Sequence, residues 1–121
     1  GNFGSSNEIY ALGTAGNVLY FSQWGSAIFG PSLQTGRWYH VAVTNTGNFA
    51  TLYLDGANVA SGNLNINTPS STNFYIGKIP DPEGTIRRLE GLVDEIEVFN
   101  RALTQAEIQA IFDAGSEGKC N

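Results

Sequence analysis

Gly91-Leu92-Val93-Asp94-Glu95-Ile96-Glu97-Val98-Phe99-Asn100-Arg101-Ala102-Leu103-Thr104-Gln105-Ala106-Glu107-Ile108 reads as a strand running straight into a capped helix. Leu92, Ile96 and Val98 recur at a period of two, and Val93, Glu95 and Glu97 fall on the opposite face. The pattern predicts a strand over Leu89 to Phe99, the longest in the chain and central to its sheet. Thr104 with Glu107 three positions on forms a capping box, and Leu103 with Ile108 a hydrophobic staple. Such a cap contributes about 1 kcal/mol. Ile108, Ile111 and Phe112 share one helix face, so the helix is expected to pack on something. Gly115 supplies the left-handed residue that ends it.

Upstream, short strand-like runs follow one another at turn-sized spacing. Ile9 to Leu12 and Val18 to Phe21 are separated by Gly13-Thr14-Ala15-Gly16-Asn17, and Ala27 to Phe29 is stopped by Gly30-Pro31. Trp38 to Thr44 alternates, with Tyr39, Val41 and Val43 on one face and Trp38, His40 and Ala42 on the other. Phe49 to Leu54 leads into Asp55-Gly56, a strong hairpin signal because both central residues of a type I′ turn need positive φ. Val59 to Ser61 returns. Asn73 to Ile79 forms a further strand, with Gly77 inside it as a bulge or a close approach. Pro80-Asp81-Pro82-Glu83-Gly84 is a stiff acidic loop.

Length and composition set the class. The 121 residues make one domain. With 41% hydrophobic residues the chain can bury a core, and fifteen glycines point to the many tight turns of an all-β protein. Net charge is −5 with only six Lys plus Arg, which argues against nucleic acid and anionic membrane surfaces as partners. No apolar run approaches the roughly 20 residues a bilayer span needs, so no membrane insertion is expected. No signal-peptide pattern is visible and Met is absent, as in a piece excised from something longer. Cys120, the single cysteine, is read as a free tail thiol or as the partner of a cysteine outside the chain.

Four stretches carry a resemblance. Gly36-Arg37-Trp38-Tyr39-His40-Val41-Ala42-Val43-Thr44, then Leu52-Tyr53-Leu54-Asp55-Gly56 with Val59, then Tyr75-Ile76-Gly77, then Gly91 through Ile108, resemble in order and spacing the laminin-G-like, concanavalin A-like jelly-roll domains. The resemblance implies an all-β fold: an antiparallel two-sheet jelly-roll sandwich over residues 1–115 with one short C-terminal helix, and 116–121 as tail or linker. Complete domains of this kind begin with further strands, so the chain is expected to be N-terminally incomplete. Its open edges would then be completed by a partner chain or by self-association. The resemblance also implies recognition of a glycan or an extracellular protein, in a secreted or cell-surface setting. Calcium, frequent in such domains, stays open.

The candidate site residues follow from the same reading. Sugar binding uses aromatic faces against C–H surfaces and polar groups for hydroxyls. Trp24, in the turn-like Gln23-Trp24-Gly25-Ser26, and Tyr53, opposite Leu52 and Leu54, are the aromatic candidates. Asp81, Glu83 and Arg87 are the polar candidates in the loop from Pro80 to Arg88. Asp94 shares its face with apolar residues, so it is expected to accept backbone hydrogen bonds or to serve as a metal ligand. Trp38, His40, Asp55, Gly56, Thr104 and Glu107 are read as structural. Glu95 and Glu97 at i and i+2 are the one carboxylate pair with the look of a glycosidase, but Val93 stands where a third acid would be expected. No Gly-x-Ser-x-Gly elbow, zinc set or phosphate loop is present. The reading is a non-catalytic recognition module, with strand-mediated assembly and a glycosidase remnant as alternatives.

Overall fold

The computed structural model describes residues 10–23, 25–66, 75–80 and 86–115. Two three-stranded antiparallel sheets make the body. β1 (Tyr10–Ala15), β2 (Val18–Gln23) and β3 (Ser26–Ser32) form the first, in that order. β4 (Val41–Thr46), β5 (Phe49–Leu54) and β6 (Ala57–Asn63) form the second. A two-stranded ribbon, β7 (Lys78–Pro80) and β8 (Ile86–Arg88), and the helix α1 (Gln105–Ala114) complete the described elements.

Alternation explains how the sheets meet. Leu19 and Phe21 of β2 and Ile28 of β3 turn to one face of the first sheet. Ala50 and Leu52 of β5 turn to the facing side of the second, joined by Leu64 just past β6. Together these six residues form one buried cluster, with Leu33, Val43, Leu54 and Val59 packed around it. Each fully buried aliphatic side chain contributes about 1.5–3 kcal/mol. The layers touch closely: a β-carbon on Gly62 would stand 2.9 Å from Ile28 Cγ2, and one on Gly30 would stand 3.3 Å from Leu52 Cδ2.

The turns follow their residues. Gly16 and Asn17 both adopt positive φ between β1 and β2, as do Asp55 and Gly56 between β5 and β6, the requirement of a type I′ hairpin. The Leu33 N–H donates to the Asn17 carbonyl at 2.7 Å and ties the chain leaving β3 to the first turn. β3 continues through Gly30-Pro31, where the sequence pattern placed a stop. It is an edge strand, so the missing proline N–H breaks no ladder. In the second sheet the strand begins at Val41, so Trp38 to His40 lie before it and not within it.

The helix start matches its signature, while Gly115 ends the helix at φ +56 and ψ −136, positive in φ but outside the left-handed helical region expected of it. The Thr104 side chain accepts the Glu107 N–H at 3.2 Å, and Glu107 Oε1 accepts the Thr104 N–H at 3.0 Å. Ile108 is buried, and Ile111 and Phe112 are half-buried. The Gly115 N–H closes the last turn on the Phe112 carbonyl. The helix packs beside β6, with the Phe112 ring centroid 6.1 Å from that of His40.

Two predicted strands are overturned or cut back. Residues 89–99 are not a strand: the stretch joins none of the sheets formed by the described residues, and Leu92, Val93, Ile96, Val98 and Phe99 are exposed, Leu92 at 80% and Val98 at 78%. Alternation alone does not make a strand, because each extended residue needs a neighbouring ladder for its backbone groups. The chain also departs from extended geometry at Glu95, which has φ +52. Gly77 likewise sits at φ +77 in a bend before β7 rather than inside a strand.

Candidate functional site

Three places on the described surface bring polar or aromatic groups together. The first is a cleft of about 310 Å³ where the β1–β2 turn meets the chain leaving β8, lined by Thr14, Asn17, Thr35, Arg88, Leu89 and Glu90 among others. Its walls are held by backbone bonds. The Leu33–Asn17 bond brings Thr35 alongside the turn, and the Leu89 N–H donates to the Gly77 carbonyl at 2.8 Å, which fixes the exit from β8. Two hydroxyls, an amide, one cation and one anion line one opening with no net charge. That set can donate to and accept from the hydroxyls of a polyol, with Leu89 offering an apolar contact.

The second is the outer face of the first sheet. Register places Gly13, Tyr20 and Phe29 in one row across β1, β2 and β3. Their strand neighbours Leu19, Phe21 and Ile28 are buried, so this row faces away from the core. The Tyr20 and Phe29 ring centroids are 6.4 Å apart, tilted by 51°, and Phe29 is 61% exposed. A β-carbon at position 13 would stand 3.3 Å from Tyr20 Oη, so glycine there leaves room for the phenol to lie over β1.

The third surrounds the β5–β6 turn. Arg37 Nη2 lies 3.5 Å from Asp55 Oδ2, and its guanidinium sits 4.8 Å over the Tyr39 ring. Asp55 Oδ1 accepts the His40 N–H at 2.9 Å while the Asp55 N–H donates to the His40 carbonyl at 2.8 Å. Asp55 thus clamps the lead-in to β4, the work of a structural residue. A β-carbon at Gly56 would stand 2.6 Å from Gln109 Oε1, so this turn is also where the helix docks.

The residues singled out from the sequence are dispersed. Trp24, Asp81, Glu83 and Cys120 lie outside the described residues. Arg87 is the middle residue of β8, opposite Ile79. Tyr53 is 7% exposed in the central strand of the second sheet, which leaves a ligand little of it to touch. Trp38, read as structural, is 63% exposed. Asp94, expected on a buried face, is exposed, and its Oδ1 accepts the neighbouring Glu95 N–H at 2.8 Å. The buried setting was inferred from a strand that does not form. Glu95 and Glu97 therefore do not share a strand face as the pattern proposed. Among the described residues no three His, Cys, Asp or Glu side chains gather as a metal ion's ligands would.

The strongest electrostatic feature belongs to the helix cap. Arg101 donates to both Glu107 oxygens, at 2.8 and 2.5 Å. The Arg101 hydrogen bonds, helped by the Thr104 N–H, hold the Glu107 carboxyl down to about 2, and Glu107 in turn raises Arg101. Both groups are exposed, so the pair anchors a cap and not a reactive centre.

Sequence reasoning missed the Tyr20–Phe29 row and the cleft. The row was legible: Leu19-Tyr20-Phe21 and Ile28-Phe29 alternate, so the partners of core residues must face outward. The cleft gathers residues from three separate segments, and no local pattern signals it.

A two-layer antiparallel sandwich with a capped helix after its last described strands defines a β-sandwich module of the lectin-like class. Residues 2–109 match the Concanavalin A-like lectin/glucanases superfamily, and the chain belongs to that family. No curated protein matches it. Among solved structures it is similar to an S-layer domain-containing protein from Clostridium thermocellum, with 25% identity and a TM-score of 0.58. The match covers 86% of this chain and 61% of that one, so this chain spans less than two thirds of that chain's length. No helix among the described residues is long and apolar enough to cross a membrane.

Proposed function

We propose that the chain is a non-catalytic recognition module of a secreted or cell-surface protein, and that it binds carbohydrate. The polar cleft carries this reading. Thr14, Asn17, Thr35, Arg88 and Glu90 offer hydroxyl, amide and charged partners for sugar hydroxyls, with no nucleophile and base in a reacting arrangement. Asp81 and Glu83 fall in sequence between β7 and β8, and Arg87 of β8 precedes Arg88 of the cleft wall; Asp81, Glu83 and Arg87, with Trp24, are proposed contributors to the same recognition. Family membership supports the reading, and the S-layer neighbour supports a cell-surface setting. A glycan array probed with the wild-type chain and with the double variant Asn17→Ala/Arg88→Ala tests it. Saccharide signals present in the first and lost in the second are expected. Equal signals would move the site elsewhere, and an empty array would end the carbohydrate reading.

A second reading, assembly through strand pairing, is favoured by one observation. The apolar residues Leu92, Val93, Ile96, Val98 and Phe99 stand exposed, outside the sheets of the described residues, and offer an apolar edge to a partner. Sedimentation as a species heavier than one chain is expected on this reading; a monodisperse monomer would count against it.

A further inference from the structure

We propose that the outer face of the first sheet is a second saccharide site, in which the Phe29 ring receives the C–H face of a neutral pyranose within an extended glycan. The inference rests on the carbohydrate reading above and extends it to a surface separate from the cleft.

Three features of the face lead there. The Gly13–Tyr20–Phe29 row is aromatic and open, with Phe29 the most exposed large hydrophobic side chain of the three strands. The flanking rows are small and uncharged: Ala15 with Val18 on one side, and Ala11, Ser22 and Ala27 on the other. These described neighbours are all smaller than the rings, and Gly13 extends the floor by letting Tyr20 lie across β1. On a chain of net charge −5, a face whose described rows carry no charged side chain favours an uncharged ligand. A pyranose ring presents axial C–H groups to an aromatic surface and keeps its hydroxyls toward water.

Area decides between a glycan and a protein. Three strands at about 4.8 Å spacing, six residues long at about 3.3 Å each, give a face of roughly 300 Å². A stable protein interface needs about 800 Å² from each partner, so the face is too small for one and wide enough for a few sugar rings. The 51° tilt between Tyr20 and Phe29 makes the floor a shallow notch. It suits a single soluble chain better than a flat crystalline surface.

The test is an amide NMR titration of the wild-type chain with cellohexaose, xylohexaose and, as an anionic contrast, a heparin octasaccharide. The two neutral hexasaccharides stand in for the ligand. Shifts centred on Gly13, Tyr20 and Phe29 with at least one of them are expected. Phe29→Ala should weaken that binding by about tenfold or more, Phe29→Trp should retain it, and shifts at Asn17 and Arg88 should persist in both variants. Phe29 is outside the core, so its replacement leaves the fold intact, which circular dichroism checks. Shifts confined to the cleft, or a Phe29→Ala variant that binds as the wild type does, would overturn the second site and leave the carbohydrate reading standing. A response to heparin alone would overturn the neutral-ligand assignment. A response to none of the three would remove the carbohydrate reading itself.

Discussion

Residues 41–63 and residues 89–99 carry the same kind of pattern and meet different fates. In both, apolar side chains alternate with polar ones. In the first, β4, β5 and β6 pair antiparallel, with one register shift against β6 between Leu52 and Tyr53, and bury Ala50 and Leu52 completely. In the second, the same alternation leaves Leu92 and Val98 almost fully in solvent. The difference is in the neighbours. Asp55-Gly56 and the turn at Gly47 fold each strand back onto the next, so the backbone groups of β5 find partners on both sides. Residues 89–99 follow a two-stranded ribbon and precede a helix, and among the described residues no hairpin turn delivers a ladder to them. A strand is a property of a pair, whereas a helix satisfies itself within its own turn and cap.

The comparison breaks most visibly at Leu52. Leu52→Ala empties a fully buried site between the sheets and should cost about 2–5 kcal/mol in urea unfolding. A loss below that range would mean the two sheets do not share the core described. Next comes the turn that brings β6 back to β5. Gly56→Ala places a side chain at φ +82 and should cost roughly 1–2 kcal/mol, read from the same unfolding curve. The Gln109 carboxamide near that position can swing aside, so most of the cost is backbone. Thr104→Ala removes the helix cap and should cost about 1 kcal/mol.

The cap also has a pH signature. Glu107 is lowered from 4.5 to about 2 by Arg101 and the Thr104 N–H. A depressed carboxylate stabilises fully above its unfolded value and ceases to do so as pH falls through its folded value. Helical ellipticity should therefore fall between about pH 4.5 and pH 2. Glu107→Gln should flatten that part of the titration. An unchanged profile would show that the Arg101–Glu107 pair does not hold the helix start.

The smallest expected effect sharpens the comparison most. Leu92→Ser and Val98→Ser touch exposed, unpaired positions, so stability should change by less than about 0.5 kcal/mol. If the segment pairs with a partner chain, the same variants should abolish any species heavier than one chain in sedimentation. A loss of several kcal/mol instead would place these side chains in a core within the single chain.

How much was legible in the sequence follows the same division. The hairpin at Asp55-Gly56 and the helix from Thr104 to Gly115 were readable because their signals are local: positive φ, a cap, a staple. The sandwich class was readable from alternation and from four motifs in order. Residues 89–99 misled because alternation states which side chains would share a face and not whether a ladder exists to hold them. Asp94 and the Glu95–Glu97 pair inherited that error. Of the site, Phe29 was within reach, since its neighbour Ile28 had to face the core. The cleft was not, because Thr14, Thr35 and Arg88 meet only after the sheets are folded.

The central claim is that this sandwich holds sugars and leaves them intact. Affinity electrophoresis in gels containing soluble neutral polysaccharides, followed by a reducing-end assay of the same polysaccharides after incubation with the chain, tests it directly. Retarded migration with no new reducing ends is the predicted result. New reducing ends that disappear in Glu95→Gln, or migration unchanged by every polysaccharide, would contradict it.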